Sequence, residues 1–199
     1  MSRGSSTRRE VLRAGGHALA GLMLGGLRLP RVGWGGVLTH PRSRTDAVEI
    51  LMRANVLGSR VWFDPVGLLV EPGQTVRWVV ERHAHTATAY DPANDGSPRR
   101  IPLGAVPWDS GYLLDPGDAF ETTLAVEGVY DYYCKPHEAA GMVGRIVVCD
   151  AAERSFEAPE WSPGPSDRAV PEAAIRAFPS VERILRERVV REGVDARLP

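Results

Sequence analysis

The 199-residue chain has few cysteines and lacks the repeats and motifs that mark several specialised classes of protein. It has two cysteines, Cys134 and Cys149, which are too few for a scaffold held together by disulfides. It also has no internal repeat, no phosphate-binding glycine loop and no serine-nucleophile motif. Any chemistry must therefore come from another combination of residues, and at least one cysteine should take part in it.

An excess of positive charge is also missing, because the chain has 24 basic and 25 acidic residues. The first 44 residues contain eight arginines and a single acid, Glu10, so the remainder carries a formal charge of −8. This distribution argues against nucleic-acid binding and favours a soluble partner protein that is attracted by charge. The other bulk values, 43% hydrophobic and 25% charged residues, are those of an ordinary globular protein.

The N-terminal apolar stretch is shorter than the run of about 20 apolar residues that crosses a membrane. It extends over Ala14–Leu27, follows the pair Arg8-Arg9 and ends at Arg28. This arrangement resembles a twin-arginine export signal, so we predict that residues 1–44 form a signal or anchor and a linker. A basic, disordered tail is the alternative, and retention as a membrane anchor stays open because no Ala-x-Ala cleavage site stands in the expected place, after the apolar run. The predicted location is the periplasm or the outer face of the cytoplasmic membrane.

The middle of the chain, residues 45–150, has short apolar runs separated by turn residues such as Pro72-Gly73 and Pro116-Gly117. Seven strands at this spacing predict an all-β domain, an antiparallel β-sandwich with Greek-key connections. The predicted strands are Val48–Val56, Val61–Val70, Thr75–Glu81, Thr86–Tyr90, Phe120–Val126, Val129–Cys134 and Val143–Val148.

Two segments lie outside this strand pattern. Residues 91–114 contain four prolines and should form an ordered or semi-ordered loop. This loop is either an elongated connection or a segment that covers one end of the domain or meets a partner. Residues 151–199 should form a linker followed by one short amphipathic helix, which Ser180 could cap. We expect that helix to pack on its own domain, with docking to another protein as the alternative.

The motif that carries chemistry is Cys134-x2-His137-x4-Met142, which brings a thiolate, an imidazole and a thioether onto one tight loop between two predicted strands. Soft sulfur ligands favour Cu(I), imidazole serves both oxidation states, and two histidines with one cysteine and a weak axial methionine form the blue-copper arrangement. A second histidine is then required, and His83 and His85 both qualify. Strand alternation places both on the same face, so periodicity cannot choose between them.

The run Tyr132–Val148 resembles the copper loop of the cupredoxin family, as found in plastocyanins, pseudoazurins and halocyanins, and Phe63–Val76 resembles their early strands. In those families the first ligand is a histidine followed by Asn or Thr, which His85-Thr86 matches. The resemblance therefore implies one type 1 copper ion. Its implied ligands are His85, Cys134, His137 and Met142. Many relatives have Asn at the position of Thr86, which predicts weaker bonding between the two ligand segments here.

The same resemblance implies a blue-copper electron carrier that is not an enzyme and that exchanges electrons with redox partner proteins. A copper carrier or delivery protein using the same ligands is the alternative. Five histidines are too few for the extra clusters of a copper enzyme. The resemblance also implies that His137 reaches an apolar surface patch, while Tyr133 is either a second electron port or a half-buried strand residue. Cys149 should be an ordinary buried strand residue, not bonded to Cys134.

Overall fold

The computed structural model describes residues 47–150, 164 and 167–191. The predicted export segment and most of the linker after residue 150 lie outside these residues. Among the described residues, no helix has the length and apolar character needed to cross a membrane.

Nine short strands and three short helices make up the described part of the chain. The strands are β1 (Val48–Ala54), β2 (Val61–Asp64), β3 (Gly67–Val70), β4 (Gln74–Val80), β5 (Thr88–Ala89), β6 (Ala119–Leu124), β7 (Gly128–Tyr133), β8 (Val143–Val148) and β9 (Val189–Val190). The helices are a 3₁₀ helix (Lys135–Ala140), α1 (Glu172–Ala177) and α2 (Val181–Glu187).

The strands form two sheets, ordered β2-β1-β4-β6 and β5-β7-β8-β3-β9, which confirms the predicted all-β sandwich. The expectation of purely antiparallel pairing is wrong, because β1 pairs with β4 and β3 pairs with β8 in parallel. The physical reason lies at Pro65, which has no amide hydrogen to continue a ladder. The predicted run Val61–Val70 is interrupted there, and its two halves, β2 and β3, lie in different sheets.

The core between the sheets follows the alternation of the strands. Ile50 and Met52 of β1 and Val76, Trp78 and Val80 of β4 are at most 2% exposed, while the residues between them point outward. This two-residue period is the expected pattern for a strand with one covered face.

β7 differs, because all six of its residues are buried. Tyr130 and Tyr132 pack in the core between the sheets, whereas Val129 contacts a cluster that includes Val181 and Ile184 of α2. Helix α2 therefore covers part of the outer face of this sheet. Helix α2 begins at the predicted cap, since the Ser180 hydroxyl accepts the Arg183 N–H at 3.2 Å. Helix α1 and strand β9 were not predicted.

Candidate metal centre

Cys134 directly follows β7 and begins the tight loop that carries three of the predicted ligands. Its N–H donates to the Met142 carbonyl at 3.0 Å, and its carbonyl accepts the His137 N–H at 3.0 Å. Pro136 suits the start of the 3₁₀ helix, and Gly141, with φ of +84°, ends it in a left-handed conformation. These bonds fold Cys134, His137 and Met142 into one compact loop.

His85 is held by a different part of the chain. Its backbone pairs with Leu113 in both directions, at 3.0 and 2.9 Å. Its Nε2 lies 2.9 Å from the Arg82 carbonyl, which can only accept a hydrogen bond, so Nε2 carries the proton. The Nδ1 atom therefore keeps its lone pair for a ligand.

The structure brings His85, Cys134 and His137 together. The Cys134 Sγ atom lies 3.6 Å from His85 Nδ1 and 3.3 Å from His137 Nδ1. One ligand atom from each of the three residues lies within 4.8 Å of the other two. A single ion can contact three donors at such separations.

His83 lies outside this cluster. It is exposed, its φ is +62°, and its ring approaches Gly58. Strand alternation does not apply to His83 and His85, because residues 81–83 form a bend and the strand that follows is limited to Thr88–Ala89.

Met142 is completely buried at the end of the same loop, and its backbone is hydrogen-bonded to two of the donor residues. Its N–H donates to the His137 carbonyl at 3.1 Å and its carbonyl accepts from Cys134. The role of its thioether as an axial ligand stays a prediction.

Burial sets the protonation of the cluster. Burial, and secondarily the neighbouring His137, lowers the pKa of His85 to about 4, and burial lowers the pKa of His137. Burial raises the pKa of the Cys134 thiol to about 11. At neutral pH both imidazoles are therefore neutral and able to bind a metal, while the thiol keeps a proton that a metal must displace.

The donor set fits copper. Two neutral imidazoles and one cysteine sulfur are the in-plane ligands of a blue-copper site. The N–H of Thr86 donates to Cys134 Sγ at 3.3 Å, which would stabilise the thiolate once its proton is lost.

The Thr86 hydroxyl ties the two ligand segments together. It accepts the N–H of Lys135 at 2.8 Å and lies 3.1 Å from the hydroxyl of Thr88, which donates to Asp109 at 3.0 Å. Asp109 in turn pairs with the Lys135 ammonium at 2.8 Å, and Asp95 pairs with it at 2.9 Å. The 91–114 loop thus contacts the metal end of the domain. No sequence signal linked Asp95 and Asp109 to Lys135.

One predicted ligand approaches the surface. His137 is partly exposed, and Pro136, Ala139 and Ala140 around it are exposed. Tyr133, by contrast, is 1% exposed, with the guanidinium of Arg168 lying 4.9 Å from its ring. It is therefore neither half-buried nor available as an open port.

Comparison with known proteins agrees with this geometry. A model of copper-binding proteins of the plastocyanin/azurin family matches residues 51–149. Plastocyanin from Scenedesmus fuscus is 31% identical over 86 residues, covering 43% of this chain and 85% of that protein. The chain belongs to the plastocyanin/azurin family. Its cofactor is accordingly copper, and the cluster of His85, Cys134 and His137 is consistent with a single type 1 ion.

Two further proteins are similar to this chain. Chloroplastic plastocyanin from Oryza sativa subsp. indica is 33% identical over 102 residues, which cover 51% of this chain and 63% of that protein. The structure of a Sinorhizobium pseudoazurin is 24% identical, with a TM-score of 0.46, covering 71% of this chain and 94% of that one.

Cys149 lies at the end of β8 and is 5% exposed, in an apolar cluster with Val147 and Ile184. No disulfide joins it to Cys134. It has the surroundings of a buried structural residue.

Proposed function

We propose that this protein is a mononuclear blue-copper electron carrier with His85, Cys134, His137 and Met142 as its ligands. The observation that carries the proposal is the difference in solvent exposure among the three clustered donors. His85 and Cys134 are completely buried, and His137 alone of the three clustered donors is partly exposed.

The surrounding protein is suited to fast electron exchange because it holds the donors still. When bound, copper supplies a one-electron couple between Cu(I) and Cu(II). The chain contributes fixed donors, since Cys134 and His137 are tied to each other through the loop backbone and His85 is tied to Leu113 and Arg82. Little rearrangement then accompanies the change of charge.

The burial of the cluster supports an electron carrier over an enzyme. A substrate would have to displace the partly exposed His137 to reach the metal, because His85 and Cys134 are covered. An electron needs no such access. The exposed Pro136, Ala139 and Ala140 give the surface around His137 little polar area to desolvate when a partner docks.

We propose that the carrier works outside the cytoplasm, between redox partner proteins. The support is the arrangement of Arg8-Arg9 and the apolar run Ala14–Leu27 at the N-terminus. If this segment is kept after export, it also tethers the protein to the membrane.

The test compares electron exchange with metal loss. Electron self-exchange between reduced and oxidised copies can be followed by NMR line broadening, and loss of Cu(I) to a bicinchoninate chelator by stopped-flow absorption. We expect self-exchange to be faster than metal loss. Rapid metal loss with negligible electron exchange would instead favour copper delivery.

A negative charge placed beside His137 tests whether electrons pass through this surface. Ala140→Glu should slow self-exchange about tenfold, because two like charges meet when two copies dock. The matched control is Ala125→Glu, at an exposed position in the turn that precedes β7, at the end of that strand away from Cys134. Equal rates for the two variants would place the electron route elsewhere.

A further inference from the structure

We propose that the C-terminal segment, residues 168–177, positions the metal-binding loop, and that Arg168 does so by holding Glu138. Glu138 directly follows the surface ligand His137. The inference rests on the proposed function only in taking Cys134–Met142 as a metal-binding loop. It concerns a part of the chain that lies outside the matched family region, residues 51–149.

Glu138 points into the protein, although its neighbours Ala139 and Ala140 are exposed. The residue is 8% exposed. The Arg168 Nη1 atom donates to both carboxylate oxygens, at 3.0 and 2.8 Å, and the Tyr90 hydroxyl donates to one of them at 2.6 Å. The carboxylate is thus anchored by the C-terminal segment on one side and by the β-sandwich on the other.

Arg168 is itself fixed in place. Its N–H donates to the Gly96 carbonyl at 2.8 Å, and its guanidinium lies 4.9 Å from the Tyr133 ring. It therefore joins three parts of the molecule, namely the 91–114 loop, the end of β7 and the metal-binding loop.

Helix α1 closes the other end of the same loop. A Cβ atom added at Gly141 would lie 3.3 Å from the Ala173 carbonyl oxygen and 3.5 Å from the Ala177 Cβ atom. The neighbouring Ala174 packs with Tyr90, Tyr133 and Val143. The residue before Met142 therefore has little room to move while α1 is in place.

Loss of the Arg168 contact has a direct consequence for His137. A buried carboxylate without its cation is strongly disfavoured, so Glu138 would turn toward water. Because Glu138 and His137 are adjacent in one turn of 3₁₀ helix, this movement would displace the imidazole. We therefore assign Arg168 and Glu138 as positioning residues.

The experiment uses the full chain with Arg168→Met, Arg168→Lys and, as a matched control, Arg176→Met. Arg176 lies on α1 and pairs with Glu172 on the exposed face, one turn away. Hydrogen exchange of single amides is measured by NMR in the metal-free protein, at Gly141 and Met142, whose N–H groups bond within the loop. The amides of β4 serve as the internal reference.

We expect Arg168→Met to speed exchange at Gly141 and Met142 about tenfold, with β4 unchanged. Arg168→Lys should recover part of the protection, and Arg176→Met should change nothing. Tyr90→Phe, which removes one hydroxyl, should give a smaller increase, about threefold. In copper-loaded protein, Arg168→Met should also shift the reduction potential and the visible band, whereas Arg176→Met should not.

Unchanged loop exchange in Arg168→Met would overturn the proposal, and so would an equal rise in β4, which would show a general loss of stability. The metal-free measurement does not depend on copper. A protein that bound no copper, yet showed the expected loop exchange, would refute the proposed function and leave the positioning role intact.

Discussion

Two buried polar clusters lie on or next to strand β7, and their central residues have different kinds of partner. Asp131 is 0% exposed and contacts Arg100 at 2.7 Å and Arg145 at 2.7 Å. Cys134, three residues later, is also 0% exposed, but its polar neighbours are the two imidazoles of His85 and His137.

The difference shows how a structural cluster can be told from a ligand site. The buried carboxylate of Asp131 is paired with two guanidinium groups, so that cluster needs no added cation. The cluster at Cys134 presents three electron-pair donors, namely two imidazoles and a thiol. Its donor atoms therefore need a bound cation as their common partner. We expect the first cluster to govern stability and the second to govern metal binding.

Removal of one donor from the cluster at Cys134 should have the largest effect. His85→Ala should abolish the blue colour of the copper-loaded protein, because one of the three converging donors is lost. His83→Ala is the matched control and should keep the colour, since His83 is exposed and outside the cluster. Visible absorption after addition of Cu(II) measures both. Loss of colour in His83→Ala alone would mean that the assignment of the histidine is wrong.

The donor cluster should also respond strongly to pH. The pKa of the Cys134 thiol is about 11 in the metal-free protein, so at lower pH each bound ion must displace that proton. The pKa values of both histidines are lowered, that of His85 to about 4, so near neutral pH the imidazoles release no further protons. Copper affinity should therefore rise about tenfold for each pH unit between about pH 7 and pH 9.

Competition with a Cu(I) chelator of known affinity at several pH values measures this slope. A pH-independent affinity would show that the thiol is already ionised without metal, and that the cluster is not the neutral donor set described above.

Substitution in the Asp131 cluster should lower stability and leave metal binding unchanged. Asp131→Asn leaves Arg100 and Arg145 largely buried without a balancing charge, which should cost about 3 kcal/mol of the free energy of unfolding. The blue band should be unchanged. Urea unfolding of the metal-free protein and visible absorption of the loaded protein test the two halves of this statement.

A matched control for Asp131 is Glu121→Gln, which breaks the exposed pair with Arg77. An exposed pair contributes little, so the loss should be below about 0.5 kcal/mol. If Asp131→Asn removed the blue band without lowering stability, the division between the two clusters would fail.

Thr86 gives the smallest expected effect, because it supports the donors without being one. Thr86→Ala leaves the partly buried N–H of Lys135 without its acceptor, at a cost of about 1 kcal/mol. The blue band should stay, and copper loss to a chelator should become several-fold faster. Thr86→Ser keeps the hydroxyl and should behave like the unaltered protein. Identical rates in all three proteins would show that the bond between the segments is unimportant.

The parts of the structure that the sequence predicted are local. The loop of Cys134, His137 and Met142 follows from three ligand types within nine residues, and the strands β4, β7 and β8 follow from their apolar patterns. The pairing partners could not be predicted in the same way. The parallel pair β1 and β4 depends on contacts across the whole sandwich, and a split at Pro65 hides the change of sheet.

The site was only partly predictable for the same reason. Both His83 and His85 satisfied the local pattern, and the resemblance to a family chose His85, which the structure then placed in the cluster. The contact between Arg168 and Glu138 joins residues 30 positions apart. A glutamate in a loop normally predicts a solvated side chain, so nothing local indicated that Glu138 is buried.

A titration of the metal-free protein with Cu(II), followed by visible absorption and run beside the Cys134→Ser variant, tests the single copper site directly. We expect a strong blue thiolate-to-copper band that saturates at one ion per chain, bleaches on reduction and is absent from the variant, which should still fold. A band that persists in Cys134→Ser, or saturation at more than one ion per chain, would contradict a single copper site at this cluster.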